Sequence, residues 1–252
     1  HMPIQYTGIV SEHKSVRERV GIFDVSHMGQ IFISGDEASS FLSYVTTWDI
    51  SKLADGDCRY CHILNDDGNI IDDTIVYTFD KKSFMLVPNA SMISKVFNWL
   101  LSKSKNFSVK VDDKSEDYFC IAVQGPESLR LLRQYLNVSI SPFKLTKLDD
   151  LIISGTGYTG EKGYEIIGPL SECLTVWQSF LDMGAIPIGL GARDTLRLEK
   201  GYLLSGTDFN GSQTTLESGY SWVIDWKHDF IGKEKLVSQK ESGYASLSGI
   251  LL

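Results

Sequence analysis

Of the 252 residues, 42% are hydrophobic and 22% charged, and the net charge is −8. This is the balance of a globular chain with length for one large domain or two smaller ones. Acidity, with no basic run among the Lys and Arg residues, argues against nucleic acid and anionic membrane surfaces as partners, and no apolar run reaches the ~20 residues that span a bilayer.

The start, His1-Met2-Pro3-Ile4, lacks the charged and apolar regions of a signal peptide, and His1-Met2 reads as a cloning remnant. Ser11 to Val20 reads as a helix that Gly21 stops, and Gln30 to Ile33 as a strand. Asp36 is placed to cap a helix through Val45 with Phe41, Leu42 and Val45 inward. A hairpin follows, Arg59 to Leu64 against Asn69 to Phe79 across Asp67-Gly68. Then come a strand at Phe84 to Val87, a helix at Ser91 to Leu101, and strands at Phe107 to Val111 and Phe119 to Val123. Pro126 opens a further helix. Leu151 to Ser154 and Tyr164 to Ile167 flank a glycine-rich loop, before helices at Leu174 to Met183 and Ala192 to Glu199. Strands and helices do not alternate regularly, which predicts an α+β fold with antiparallel or mixed sheets and packed helices. No linker or short repeat breaks the chain, so any division is into interleaved subdomains with discontinuous boundaries.

Cys58, Cys61, Cys120 and Cys173 are too few and too scattered for a disulfide scaffold, which points to a reducing compartment, the cytoplasm. Cys58-Arg59-Tyr60-Cys61-His62 matches the haem-attachment pattern, but on a strand the two sulfurs face opposite sides, so neither haem nor metal is expected there. Asp24, Ser26 and His27 lie too close together for a hydrolase triad. They fit a tight turn in which Asp24 and His27 satisfy backbone groups and Gly29 lets the chain pass closely. Gly155 to Glu165 carries four glycines, two tyrosines and two acids. Such a loop can bring backbone, a stacking ring and a carboxylate to a flat ligand, or be an ordinary hairpin turn. Arg193, Arg197 and Lys200 fall on one helix face; an arginine near a helix start can bind a carboxylate, and a solvated face is the plainer alternative.

The most informative stretch is Asn69 to Tyr77, which sets Asp72 and Asp73 inside a strand. Alternation puts Asp73 with Ile71, Ile75 and Tyr77, and Asp72 with Ile70, Thr74 and Val76, so the two acids should not share an environment. A carboxylate on an apolar face loses hydration and becomes a stronger proton acceptor, unless it merely marks an exposed strand end or caps a turn.

In this order, Met2 to Tyr6, Gly21 to Gly29, Asn65 to Tyr77, Val123 to Pro126, Gly157 to Glu161, Gly189 to Tyr202 and Gly219 to Trp222 resemble the T-protein of the glycine cleavage system. The resemblance covers nearly the whole chain. It implies a tetrahydrofolate-dependent aminomethyltransferase, with tetrahydrofolate as co-substrate, no metal, and a lipoyl carrier, the H-protein, as partner. The carrier presents an aminomethyl group on sulfur, ammonia departs, and the one-carbon unit becomes methylenetetrahydrofolate. The resemblance makes Asp73 the catalytic acid and implies that Tyr60, Tyr77, Asn89, Tyr158, Glu165, Arg193 and Tyr202 hold folate. Several features depart from the family. An N-terminal segment is expected ahead of Met2, and a C-terminal barrel domain with a folate-contacting arginine is expected where Ser248 to Leu252 stands. Leu216 replaces a proline usual before Glu217. A folate-dependent demethylase and a non-catalytic folate-binding module are the competing readings. The stretch Lys200-Gly201-Tyr202-Leu203 lacks the cysteine of the related iron–sulfur maintenance proteins.

Overall fold

The computed structural model describes residues 2–247; His1 and the 248–252 end, where the approach to a further domain is expected, lie outside the described residues. The elements begin with α1 (Ile9–Glu18), β1 (Gly21–Asp24), β2 (Ile31–Ser34), α2 (Ala38–Val45), β3 (Cys58–Leu64) and β4 (Ile70–Asp80). They continue with β5 (Ser83–Leu86), α3 (Ile93–Lys103), β6 (Lys110–Asp113), β7 (Tyr118–Gln124), α4 (Ser128–Leu136), β8 (Leu145–Leu148) and β9 (Leu151–Ser154). The remainder are β10 (Gly163–Pro169), α5 (Cys173–Asp182), β11 (Ile186–Pro187), α6 (Leu190–Glu199) and α7 (Lys233–Ser242). The α+β class with antiparallel and mixed sheets is what the sequence predicts. Gly21 does not stop a helix but opens β1, where a Cβ would overlap Ile188 and Val16. Asp36 pairs with Lys82 and leaves α2 without a side-chain cap. The strand expected over Phe107 to Val111 starts later, at Lys110. The short strand β8 and helix α7 carry weak apolar patterns and escape the sequence reading; α7 buries only Leu236.

The chain packs as two compact units, each discontinuous in sequence. The first holds His1–Met28 and Ser115–Tyr202. Its six-stranded sheet runs in the order β11-β1-β7-β10-β9-β8, with β1 and β11 parallel. Ile22, Ile121, Val123, Ile153 and Ile166 of the sheet pack against Leu131 and Leu132 of α4 and Val176 and Phe180 of α5. Each such side chain contributes about 1.5–3 kcal/mol of burial. Helices α1 and α6 are tied by Arg17, which donates to the Leu196 carbonyl at 3.1 Å and to Glu199 Oε2 at 2.8 Å. Buried Glu12 fixes the start of α6 by accepting from Gly189 N at 2.7 Å, and it also accepts from the backbone N–H groups of Tyr6, Thr7 and Gly8.

The second unit holds Gly29–Lys114 and Leu203–Leu252. Its five-stranded sheet has the order β3-β4-β5-β2-β6, with every neighbouring pair antiparallel. One face carries Ile31, Ile33, Cys61, Ile63 and Val76 into a core with Phe41, Leu42 and Val45 of α2 and Val96 and Leu100 of α3. The other face gathers Tyr60, His62, Asp73, Ile75 and Tyr77, because Tyr60 opposes Ile75 and His62 opposes Asp73. The β3–β4 turn is closed by Asn65, whose Oδ1 accepts from Asp67 N and Asn69 N, with Gly68 at φ 82. Just beyond it the register slips between Ile63 and Leu64, and Ile71 stands unpaired as a bulge beside Asp72.

Candidate active site

The decisive geometry in the second unit starts where β5 ends. The last β4–β5 pair is Val76 with Leu86, after which Val87 N bonds back to the Ile75 carbonyl and to Thr74 Oγ1. The 72–73 stretch of β4 therefore keeps an open edge, and Asn89 fills it. Its backbone N–H donates to Asp72 Oδ2 at 2.9 Å. Its Nδ2 donates to Asp72 Oδ1 at 2.9 Å and to Asp73 Oδ1 at 2.6 Å. The expectation that the two acids cannot share an environment is thereby overturned. Alternation separates side chains across a strand's faces, but a partner at an unpaired edge reaches around both.

Asp72 has no accessible surface and Asp73 only 9%. Burial raises both carboxyls above the ordinary carboxylate range; the Asp73 charge raises Asp72 further, and the Asn89 donors pull both back. Asp73 Oδ2 accepts from the Tyr60 hydroxyl at 2.7 Å. The arrangement is a buried, donor-held carboxylate with raised proton affinity, the form that suits a general base. Tyr77 shares the Asp73 face but is fully buried, so a ligand meets its ring only if neighbouring side chains move. Asn89, which the resemblance names among the folate residues, bonds both acids of this pair.

The sequence-named residues of the first unit form a second cluster. Tyr158 lies on the glycine-rich loop, with the Arg193 guanidinium 4.7 Å from its ring centre and the Tyr202 ring stacked at 5.8 Å. Glu165 sits on β10, opposite Ser154, in the strand expected over Tyr164 to Ile167. Its carboxylate accepts a short hydrogen bond from the Thr156 hydroxyl, which in turn bonds Ser154 Oγ at 2.6 Å. Burial lowers the Arg193 pKa, and the nearby Glu165 charge opposes that shift. The arginine stripe of α6 divides in role. Arg197 is buried, bonds Asp194 and donates to the Tyr202 carbonyl, so it closes the helix end. Lys200 lies across Gly160, whose φ of 76 and lack of a side chain leave room for the lysine stem. In the turn after β1, Ser26 N bonds Asp24 Oδ1 as expected, whereas His27 lies in the field of Arg193 and its pKa is lowered chiefly by burial.

The GCVT N-terminal domain family model matches residues 1–228. Aminomethyltransferases of Pseudothermotoga lettingae and Halothermothrix orenii are 43% and 42% identical to this chain, over 96% of it and 70% and 71% of their own lengths. The crystal structure of glycine cleavage system aminomethyltransferase T from Bartonella henselae matches with a TM-score of 0.91 at 31% identity, covering 96% of this chain and 69% of that one. The chain belongs to the glycine-cleavage aminomethyltransferase family. Relatives named as transferases favour that reading over a demethylase or a non-catalytic module.

Within this aminomethyltransferase, several residues around Asp73 lie outside the site set read from the sequence. His62 lies 3.4 Å from the Tyr60 hydroxyl through Nε2, and its Nδ1 is 3.1 Å from Thr215 Oγ1. Tyr220 and Trp222 complete an aromatic wall: Tyr60 stacks on Trp222 at 5.6 Å, and Tyr220 stands 5.5 Å from Trp222. Trp222 is 55% exposed, large for a tryptophan. The Gly219 to Trp222 motif points to the last two; His62 is visible only inside the haem-like pattern. The pattern itself lies on β3, with buried Cys58 opposite Tyr77 and buried Cys61 opposite Thr74. Among the described residues no group of metal-ligating side chains gathers, and no helix is long and apolar enough to cross a membrane.

Proposed function

We propose that this aminomethyltransferase moves a one-carbon unit from an aminomethyl group on the sulfur of a lipoyl carrier, the H-protein, to tetrahydrofolate, with ammonia released. The observation that carries the assignment of Asp73 is its buried carboxylate, held by Tyr60 and Asn89 beside a second buried acid. Reduced folate, when bound, supplies the amine nitrogen that receives the one-carbon unit. Asp73 accepts or holds the proton of that amine and stabilises positive charge as it develops. The Tyr60 hydroxyl and the Asn89 amide keep the carboxylate oxygens oriented, while burial gives it the proton affinity the task needs.

The cluster of the first unit fits a flat heterocycle with N–H donors. Glu165 offers an acceptor to such an edge, and the stacked Tyr158 and Tyr202 rings offer an aromatic face. Of the two roles open to Arg193, pairing with a ligand carboxylate or anchoring the loop, the contact with Tyr158 supports the second. Titration with 5-formyltetrahydrofolate is expected to quench tryptophan or tyrosine fluorescence and raise the Tm. No shift at millimolar ligand in a folded sample would end the folate assignment for this chain.

A further inference from the structure

His62 is unused by the mechanism above, yet it has no accessible surface and is bonded at both ring nitrogens. Its ring lies parallel to Tyr220 at 6.1 Å and 6.2 Å from Phe209, so it has little freedom to turn. The titratable groups that face it are Tyr60 on its own strand, Asp73 across the ladder with Asp72 beside it, and Tyr220 from the C-terminal segment. Burial pushes its pKa down to about 3, which keeps the imidazole neutral.

A neutral imidazole carries one N–H, and Tyr60 carries one hydroxyl proton. When Asp73 is ionised, the Tyr60 proton belongs to Asp73 Oδ2, so the approach of His62 Nε2 to the phenol oxygen must supply a proton from nitrogen. That leaves Nδ1 as an acceptor, met by the Thr215 hydroxyl. When Asp73 is protonated, every bond in the chain can reverse: Asp73 donates to Tyr60, Tyr60 to Nε2, and Nδ1–H to Thr215 Oγ1. We propose that His62 is a positioning residue whose tautomer follows, and helps set, the charge on Asp73 through the Tyr60 hydroxyl. The inference rests on Asp73 being the catalytic acid. Chains of hydrogen bonds polarise one another, so the Nε2–H donor strengthens the Tyr60 bond to the carboxylate.

The test follows transfer from aminomethyl carrier to tetrahydrofolate against pH in His62→Phe, His62→Gln, Thr215→Val and Tyr60→Phe, with Asp73→Asn as reference. Losing the Nε2 donor raises the Asp73 pKa, so the acid limb of the kcat profile should move upward by about half a unit to one unit in His62→Phe, as the loss of one hydrogen bond's worth implies. Folate affinity should stay at the parent value. His62→Gln keeps an N–H near the Nε2 position and should restore the parent limb. Thr215→Val should shift the limb in the same direction by less. In a Tyr60→Phe background, His62→Phe should add no further shift, because the connecting hydroxyl is gone. Nitrogen-15 imidazole shifts of the parent above the limb should report Nε2–H with a bare Nδ1. An unmoved limb in His62→Phe, an equal shift in the Tyr60→Phe background, or an Nδ1–H tautomer above the limb would overturn the proposal. If His62→Phe does not fold, the imidazole shifts of the parent decide alone. If Asp73→Asn keeps the parent rate, the catalytic role of Asp73 falls instead, and the tautomer measurement still judges the hydrogen-bond chain.

Discussion

Replacing Asn89 with Ala removes one amide that serves two buried carboxylates. The lost bonds are those to Asp72 Oδ1 and Asp73 Oδ1 and a longer one to the Asp73 carbonyl, while the backbone donor to Asp72 Oδ2 remains. A hydrogen bond to a charged group contributes about 1.5–3 kcal/mol and one to a neutral acid about 1 kcal/mol. With Asp72 raised to about 7, most of its charge is present at pH 8, and the expected loss there is about 2–4 kcal/mol. The sign of its pH dependence follows from linkage. Both carboxyls are raised in the fold, so the stability they contribute is full below the ordinary value of 3.8 and is lost as pH rises through the raised values. Without the Nδ2 donor those values rise further. The variant therefore loses most against the parent at neutral and higher pH, and the gap narrows toward about pH 4, where the protonated pair needs fewer donors. Urea unfolding of both proteins at pH 8, 6 and 4.5 measures this directly. A destabilisation under 1 kcal/mol at pH 8 would refute the reasoning. So would a gap that stays constant or widens in acid, since either would mean that the shared amide does not carry the charge of the acid pair.

Asp73→Asn should lower the rate of transfer by about 10²–10⁴ with little change in folate affinity, whereas Asp72→Asn should act chiefly on stability. A larger catalytic loss in Asp72→Asn, from turnover and binding measured on both, would exchange the roles of the two acids. Glu165→Gln should weaken 5-formyltetrahydrofolate binding by about tenfold, a charged hydrogen bond's worth, with Tm held near the parent; unchanged affinity in calorimetry would remove Glu165 from the folate contacts. Glu12→Gln should destabilise by about 2–4 kcal/mol at pH 7, because its carboxylate receives backbone donors from both ends of the first unit. Burial raises the Glu12 pKa, but the backbone bonds from Gly189, Thr7, Gly8 and Tyr6 more than reverse it, so the net shift is downward. That stabilisation is present above the ordinary value of 4.5 and fades as pH falls through the depressed folded value, so parent and variant should converge in strong acid.

What the sequence by itself determined here is what short-range rules encode. Period-2 alternation and Asp67-Gly68 located the β3–β4 hairpin and placed Asp73 and Tyr77 on one face. Helical periodicity found Phe41, Leu42 and Val45, and the ordered motifs identified the family, which the GCVT model and the named relatives match. The same rules failed where an environment depends on distant chain. Alternation kept Asp72 and Asp73 apart, because no local pattern says that β5 stops at Leu86 and frees an edge for Asn89. Alternation put Tyr77 on the Asp73 face but could not say that packing leaves it without accessible surface. His62 finds Thr215 across 153 positions of sequence. Side-chain direction follows from backbone geometry within a few residues, but solvation, proton affinity and hydrogen-bond partners follow from what packs nearby. Only the tertiary structure of each unit decides that.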